Sequence, residues 1–292
     1  MTTTVAASSE NETAPVPPRA GPAAHDERRR WGRLVLAGYS WLVIIYLVLP
    51  IVVMIAYSFN KVVTGLPQVS FAWNGFTFHW WQHWKDIPDL TSSFWLSIRL
   101  TVASTVLATV IGTLLAIALV RYRPPRFRGK GFFEQILFLN IAAPEIVLGS
   151  ALLGLFVTIN LARGFVTLLV SHVMFSIAYV AVTVRARMAG FDRSLEEAAH
   201  DLGANPFVTF RKVTLPIIMP GVLAGALMAF ALSIDDFVTS DFVSGSSVPF
   251  PVWVYSVTRV GIPPQVFVFG SAIFLVGIAC ALSSVLISRR HV

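Results

Sequence analysis

Four carboxylates stand in this chain where a carboxylate is expensive. Glu145 follows Pro144 inside the apolar run 133–158, Asp235 and Asp236 fall late in the run 217–240, and Asp241 lies just past its end. Ionised side chains in such runs face a bundle interior or an aqueous path, or they are paired. Their chemistry is to accept hydrogen bonds and attract cations, and an anion would be repelled unless they were paired. Adjacent helical residues point about 100° apart, so of Asp235 and Asp236 one can line a path while the other caps or pairs. Arg99, early in the run 94–120, is an available partner, although no spacing shows that it reaches them. For Glu145 the competing role is a structural hydrogen bond or ion pair, because Pro144 frees a carbonyl nearby and makes a polar niche there.

No pattern for covalent chemistry accompanies these acids. Neither HExxH nor a GxSxG nucleophile elbow occurs. Cys280 is the single cysteine, which excludes an intrachain disulfide and a cysteine-based metal cluster and leaves a small packing residue. His172 and His200 form no metal pattern with acids or with each other, and His200 reads as an exposed helix residue. No catalytic residue, no metal site and no cofactor of the chain's own is expected.

The elements that must position the acids are membrane spans. The chain has 292 residues, 55% hydrophobic and 13% charged, with a mean hydropathy of +0.72, where a soluble domain carries about a quarter charged residues. Its apolar blocks reach the roughly 20 residues a bilayer helix needs. They predict an all-α integral membrane protein with six transmembrane helices, at 34–59, 94–120, 133–158, 165–184, 217–240 and 266–287. Pro144 and Pro220 inside them are tolerable where neighbouring helices or water satisfy the freed carbonyls. Residues 1–30 are polar, rich in Pro, Ala and Thr, and end in HDERRR, the composition of a disordered tail. They do not begin as a signal peptide does, and the apolar stretch after them is too long and lacks a small-residue cleavage site. The membrane domain is then 31–292.

Basic residues set the orientation. With a cytoplasmic N-terminus, seventeen of the 22 Lys and Arg fall inside, including Arg28, Arg29, Arg30 and the RYRPPRFRGK loop of Arg121 to Lys130. Lys61, Lys85, Arg99, Arg163 and Arg259 fall on the outer side or at outer helix ends. Both termini are expected in the cytoplasm, and the net charge of +7 reads as a topology signal rather than a nucleic-acid surface. The outer side then holds 60–90, rich in Trp and Phe, and roughly 241–265. Trp80, Trp81, Trp253 and Tyr255 on that side read first as interface anchors. The functional alternative is a docking surface, or an aromatic face for a cationic amine.

Between the fourth and fifth spans lies a cytoplasmic insert, 191–216, containing EEAAHDLGANPFVTFRKVTLP from Glu196 to Pro216. Ser194 with Glu197 three residues on has the form of a capping box, with Asp192 as a competing cap. Glu196 and Glu197 oppose the helix dipole in the first turn. Leu195, Ala198, Ala199 and Leu202 make one small apolar stripe, and Gly203 is placed to end the helix in a left-handed conformation. Asn205 and Pro206 start the next helix as cap and first residue, which runs until Leu215–Pro216 turns the chain toward the membrane. The stripe either packs under the chain's own bundle or slots into a groove on another protein.

The spacing Glu197-Ala198-Ala199, Gly203, Val213-Thr214-Leu215-Pro216 resembles the EAA motif of ATP-binding-cassette importer permeases, with Val213 where Ile is usual. YSFN at 57–60, WNGFTFHWW at 73–81, PEIVLG at 144–149, HVMFSIAYV at 172–180, SIDDFVTSDFVSG at 233–245 and VYSVTRVGIPP at 254–264 are similar to the spermidine/putrescine branch of that family, and the resemblance covers nearly everything after residue 34. It implies the type I importer permease fold and half of a translocation path. The helix 194–203 would be a coupling helix in the cleft of a cytoplasmic ATPase. The implied partners are two ATPase subunits, a second and homologous permease chain, and a periplasmic or extracellular solute-binding protein, in a bacterial inner membrane. No GxxxxGK[ST] occurs here, so ATP-Mg would be held by the partner ATPases. Polyamine is the implied solute. Two departures leave a related amine, an opine, a phosphonate or another small solute open: Pro264-Gln265-Val266-Phe267-Val268 stands where the family has a Pro-Glu-Ile-Asn-Ala-like stretch, and SSFWLS replaces the opening Asn-Ser of the second span. The rival class is an ion-coupled carrier, which needs no cytoplasmic partner and often shows inverted repeats. None is evident here.

Overall fold

The computed structural model describes residues 23–61, 73–121, 129–259 and 261–289, with side chains described from Arg33 and, in the last helix, essentially as far as Leu275. Of the predicted tail, 1–22 lie outside the described residues, as do Arg123, Arg126 and Arg128 of the basic loop and the side chain of Cys280. The chain divides into two compact units, Met1–Met54 and Ile55–Val292. The first contains most of helix α1 (Ala23–Tyr57), whose apolar part begins at Arg33 and is long enough to cross a bilayer.

The second unit is also helical: α2 (His79–Gln82), α3 (Pro88–Arg121), α4 (Lys130–Ala142), α5 (Glu145–Thr158), α6 (Phe165–Met188), α7 (Ser194–Asp201), α8 (Pro206–Thr209), α9 (Leu215–Asp235), α10 (Val238–Val243), α11 (Phe250–Val257) and α12 (Gln265–Arg289). A π turn, Phe210–Thr214, joins α8 to α9.

Six spans are not what the structure contains. Among the described residues four helices are long and apolar enough to cross a membrane: Arg33–Tyr57, Pro88–Arg121, Phe165–Met188 and Pro206–Asp235. Counting one bent pair as a single span makes five. That pair is α4 and α5, predicted as the straight span 133–158, and its axes meet at 114°. Pro144 is the cause. Proline disfavours the helical region for the residue before it, and Ala143 and Pro144 are both extended, with ψ of 137° and 132°. The predicted sixth span falls on α12, whose described apolar stretch Gln265–Leu275 is too short to qualify. The predicted fifth span is also displaced. It begins earlier, at Pro206, and stops at Asp235, because Asp236 takes an extended ψ of 113° before α10 begins.

At the centre α3, α6 and α9 pack on one another. In lipid, where apolar surface gains nothing by leaving its surroundings, close backbone approach through small residues drives such contacts. The buried face of α3 accordingly runs Ser93, Ser97, Thr101, Ser104, Ala108, Gly112 and Ala116. A Cβ on Gly112 would stand 2.8 Å from Val180 Cβ, and one on Gly221 of α9 would stand 2.6 Å from Arg187 Cβ. Val180 is wholly buried between α3 and α9. Gly112→Val is therefore expected to destabilise the bundle by about 1–3 kcal/mol, the cost of overpacking. The check is a lowered thermal midpoint in detergent, and no change there would mean that α3 and α6 separate freely.

Candidate functional site

The insert 191–216 is built largely by local rules. Helix α7 spans Ser194–Asp201, and its backbone is capped by Asp192, whose Oδ1 accepts the Ser194 N–H at 2.9 Å. That bond holds the Asp192 carboxyl below the usual carboxylate range. The competing cap has thus displaced the capping box expected from Ser194 and Glu197: Ser194 lies inside the helix, and the residue before it, Arg193, makes no side-chain cap. Gly203 has φ +83°, as a left-handed helix end requires. Asn205 Oδ1 accepts the Val208 N–H at 2.9 Å with Pro206 beginning α8.

Beyond α8 the chain does not turn at Leu215–Pro216. It continues through the π turn into α9 as one helix, Pro206–Asp235. A proline in a helix clashes with the carbonyl four residues back. Here the preceding turn is widened, and the Leu215 N–H bonds the Phe210 carbonyl five residues back, so Pro216 is accommodated. Leu215 packs into the bundle core, while Pro216 is exposed.

The two glutamates of α7 part company. Glu196 turns toward the bundle, bonded to Arg121 at the end of α3 and to Thr214 of the π turn. Glu197 is exposed. The apolar stripe also faces outward rather than under the chain's own helices: Leu195 is 47% exposed, Leu202 90%, and Ala198 exposed, with Ala199 half-buried. Phe207 adds a further apolar knob at 70% exposure.

Within the membrane part, Glu145, Asp235 and Asp236 line one cavity of about 320 Å³, together with Asn140, Phe175 and Tyr179. Helices α4, α5, α6, α9 and α10 all contribute to it. The Pro144 break puts Glu145 in the first turn of α5, the end of α9 supplies Asp235, and α6 supplies the rings. No Lys or Arg lines it among the described residues. Asp241 does not join the group; it is exposed on α10.

Asp236 is spoken for. Its Oδ2 accepts the Ser240 N–H and hydroxyl, each at 2.8 Å, and so caps α10. His172, almost wholly buried on α6, lies 3.5 Å from the same oxygen. The His172 ring also reaches Ser240 Oγ at 3.0 Å through Nε2 and Ser233 Oγ at 2.8 Å through Nδ1. Ser233 in turn meets Ser104 Oγ at 2.9 Å. With the proton on Nε2, His172 donates to Ser240, which donates to Asp236, while Ser233 donates to Nδ1. This chain of buried polar groups joins α3, α6, α9 and α10 at the place where the α9 helix stops. The sequence offered only a weak signal for it, a histidine in an apolar span facing hydroxyls on others. Asp235, by contrast, is exposed to the cavity side of the same corner. His172→Leu is expected to remove the ring's bonds to Ser233 and Ser240 and its contact with Asp236, at about 3 kcal/mol, seen as a lower melting temperature, with His172→Gln retaining part of it. Equal stability of the leucine variant would remove the network from the account.

Trp80 and Trp81 of the 60–90 segment are tied down. Trp80 Nε1 donates to the Asn60 carbonyl at 2.9 Å and Trp81 Nε1 to Ser58 Oγ at 3.2 Å, with the Trp81 ring stacked on Phe59. Trp253 packs with Leu90 and Phe269. Tyr255, 49% exposed, lies against Phe237 with ring centroids 4.5 Å apart. Among the described residues no group of His, Cys, Asp and Glu could hold a metal ion.

A bundle of apolar helices, a broken span beside an acidic cavity, and a capped extramembrane helix define a membrane transport subunit. Over residues 108–291 the chain matches the binding-protein-dependent transport system inner membrane component family, and it belongs to that family. It is 39% identical over 259 residues to the spermidine/putrescine transport system permease protein PotC of Escherichia coli K12, covering 88% of this chain and 95% of that protein. To the putrescine transport system permease protein PotI of the same organism it is 35% identical over 268 residues, covering 88% and 90%. Among solved structures, a bacterial ABC transporter involved in the import of the acidic polysaccharide alginate superposes with a TM-score of 0.62 at 18% identity, over 94% of this chain and 99% of that one. An amino acid ABC transporter does so with 0.55 at 16%, over 72% and 98%. These two likenesses are of fold. The protein is a multi-pass, non-catalytic permease subunit of an ABC importer, which sets aside the ion-coupled carrier.

Proposed function

We propose that this subunit carries polyamines such as putrescine or spermidine, and that the cavity between α4, α5, α6 and the end of α9 is a way-station on their path. The observation that carries the reading is the chemistry of that cavity: Glu145 and Asp235 beside Phe175 and Tyr179, with no basic residue among its described lining. Carboxylates and aromatic faces attract an alkylammonium by charge and by cation–π contact. The names of the relatives, PotC and PotI, point the same way. An anionic opine or phosphonate would meet two like charges there.

In this reading both termini and α7 lie in the cytoplasm, as the basic residues require. Leu195, Leu202 and Phe207, exposed around α7, enter a groove of an ATPase subunit with Glu197 at its edge. Two such ATPases hold ATP-Mg, a second permease chain completes the path, and an external binding protein delivers the solute. The test is uptake into vesicles by the assembled complex. Stimulation of ATP hydrolysis by binding protein loaded with putrescine or spermidine supports it. Stimulation only by another loaded binding protein replaces the solute.

A further inference from the structure

The proposed docking of α7 says where force enters, not how it leaves. One covalent route runs back through 189–193 to α6; the other passes through Gly203, α8 and the π turn before reaching α9. A π turn is a wider turn frequent at functional sites, and this one replaces the tight helical ladder with an i→i+5 bond at Leu215. Helix α3, against which α6 and α9 pack, has no nearby covalent link to α7 at all.

Glu196 ties α7 directly both to the end of α3 and to the π turn. Its Oε1 takes hydrogen bonds from Arg121 and from Thr214, and the Arg121 guanidinium also reaches Thr214 Oγ1 at 3.1 Å. Thr214 is wholly buried, and the Arg121 and Glu196 side chains are 33% and 18% exposed. A second tether lies alongside, from Arg193 Nη2 to the Val120 carbonyl at 3.2 Å. A displacement of α7 must therefore either carry the end of α3 and the π turn with it or break a shielded, charge-assisted triad. Such bonds are about twice as strong as neutral ones. The Glu196–Thr214 bond also closes across the π turn, so it stiffens the covalent route to α9.

We propose that Arg121, Glu196 and Thr214 form a strut that transmits movement of α7 to α3 and α9 together. They are positioning residues, and the assignment rests on the importer reading above. The experiment uses the full complex in nanodiscs and vesicles, with Arg121→Gln, Glu196→Gln, Thr214→Val and the exchange Arg121→Glu/Glu196→Arg. Three quantities are read: ATPase retained on purification, ATP hydrolysed, and solute taken up per ATP. The Arg121→Gln complex is expected to keep its ATPase. Uptake per ATP is expected to fall about tenfold in the single variants, within the usual range for coupling between sites, and to recover at least in part in the exchange. Unchanged uptake per ATP in the single variants overturns the strut. So does a loss of uptake that follows loss of ATPase in every variant and is not relieved by the exchange, since that is a merely structural role. If the unmodified chain retains no ATPase, the proposed docking of α7 has failed, which is a different result.

Discussion

Gly203→Val is expected to separate this permease from its ATPase, while Gly203→Asn leaves the two together. Nothing lies within 4 Å of a Cβ built on Gly203, so a side chain there meets no obstacle. The constraint is the backbone, at φ +83°. A left-handed conformation costs an L-residue about 1–2 kcal/mol, most for a β-branched one and little for asparagine, which tolerates it. That conformation lets the chain leave α7, satisfy the Ala199 carbonyl through the Ala204 N–H, and enter the Asn205 cap two residues on. A valine forces the junction to a different path and changes how Leu202 and Phe207, on either side of it, are presented. Retained ATPase should fall about tenfold for valine, by the equivalence of 1.4 kcal/mol to a factor of ten. Alanine should be intermediate. If valine and asparagine behave alike, the left-handed turn is not what presents the docking face.

The contrast between these positions and the rest of the site shows which signals are local. Gly203, Asn205 and Pro206 behave as their types and spacing predict because capping is decided within a few residues. The Asp192 cap was a matter of two local candidates, and the aspartate nearer the preceding turn took the Ser194 N–H. Glu196 and Glu197 looked alike, and only the arrival of Arg121 and Thr214, distant in sequence, separates them. The count of six spans fails for a related reason. Average apolarity does not distinguish a straight helix from two joined at 114°, although Pro144 marked where the break would be. The same break brings Glu145 beside Asp235, a proximity that no spacing along the chain could state. His172 is the largest omission. Its partners Ser233, Asp236 and Ser240 come from α9, α10 and the break between them, and Ser104 of α3 reaches it only through Ser233; each serine alone is an ordinary residue of a small-residue packing face.

Asp235→Asn and Asp236→Asn should fail in different ways, although the two residues are neighbours. Asp235 lines the acidic cavity and is exposed there. Removing its charge takes one anchor from a cationic solute, worth about 1.5–3 kcal/mol for a charged hydrogen bond, or roughly ten- to a hundredfold in apparent affinity. Uptake at low solute should fall accordingly and recover partly at high solute, with the protein as stable as before. Glu145→Gln should act in the same direction, and the double variant should be more severe than either. Asp236 is different: its side chain is 7% exposed and already engaged by Ser240 and His172. An amide there keeps the size but puts an NH2 group where one of two acceptor oxygens stood, so the α9–α10 corner loosens. The expected signature is a lower thermal midpoint and a reduced maximal rate that extra solute does not restore. Should Asp236→Asn instead shift only apparent affinity while Asp235→Asn lowers stability, the roles are reversed. The path would then run on the His172 side of the corner.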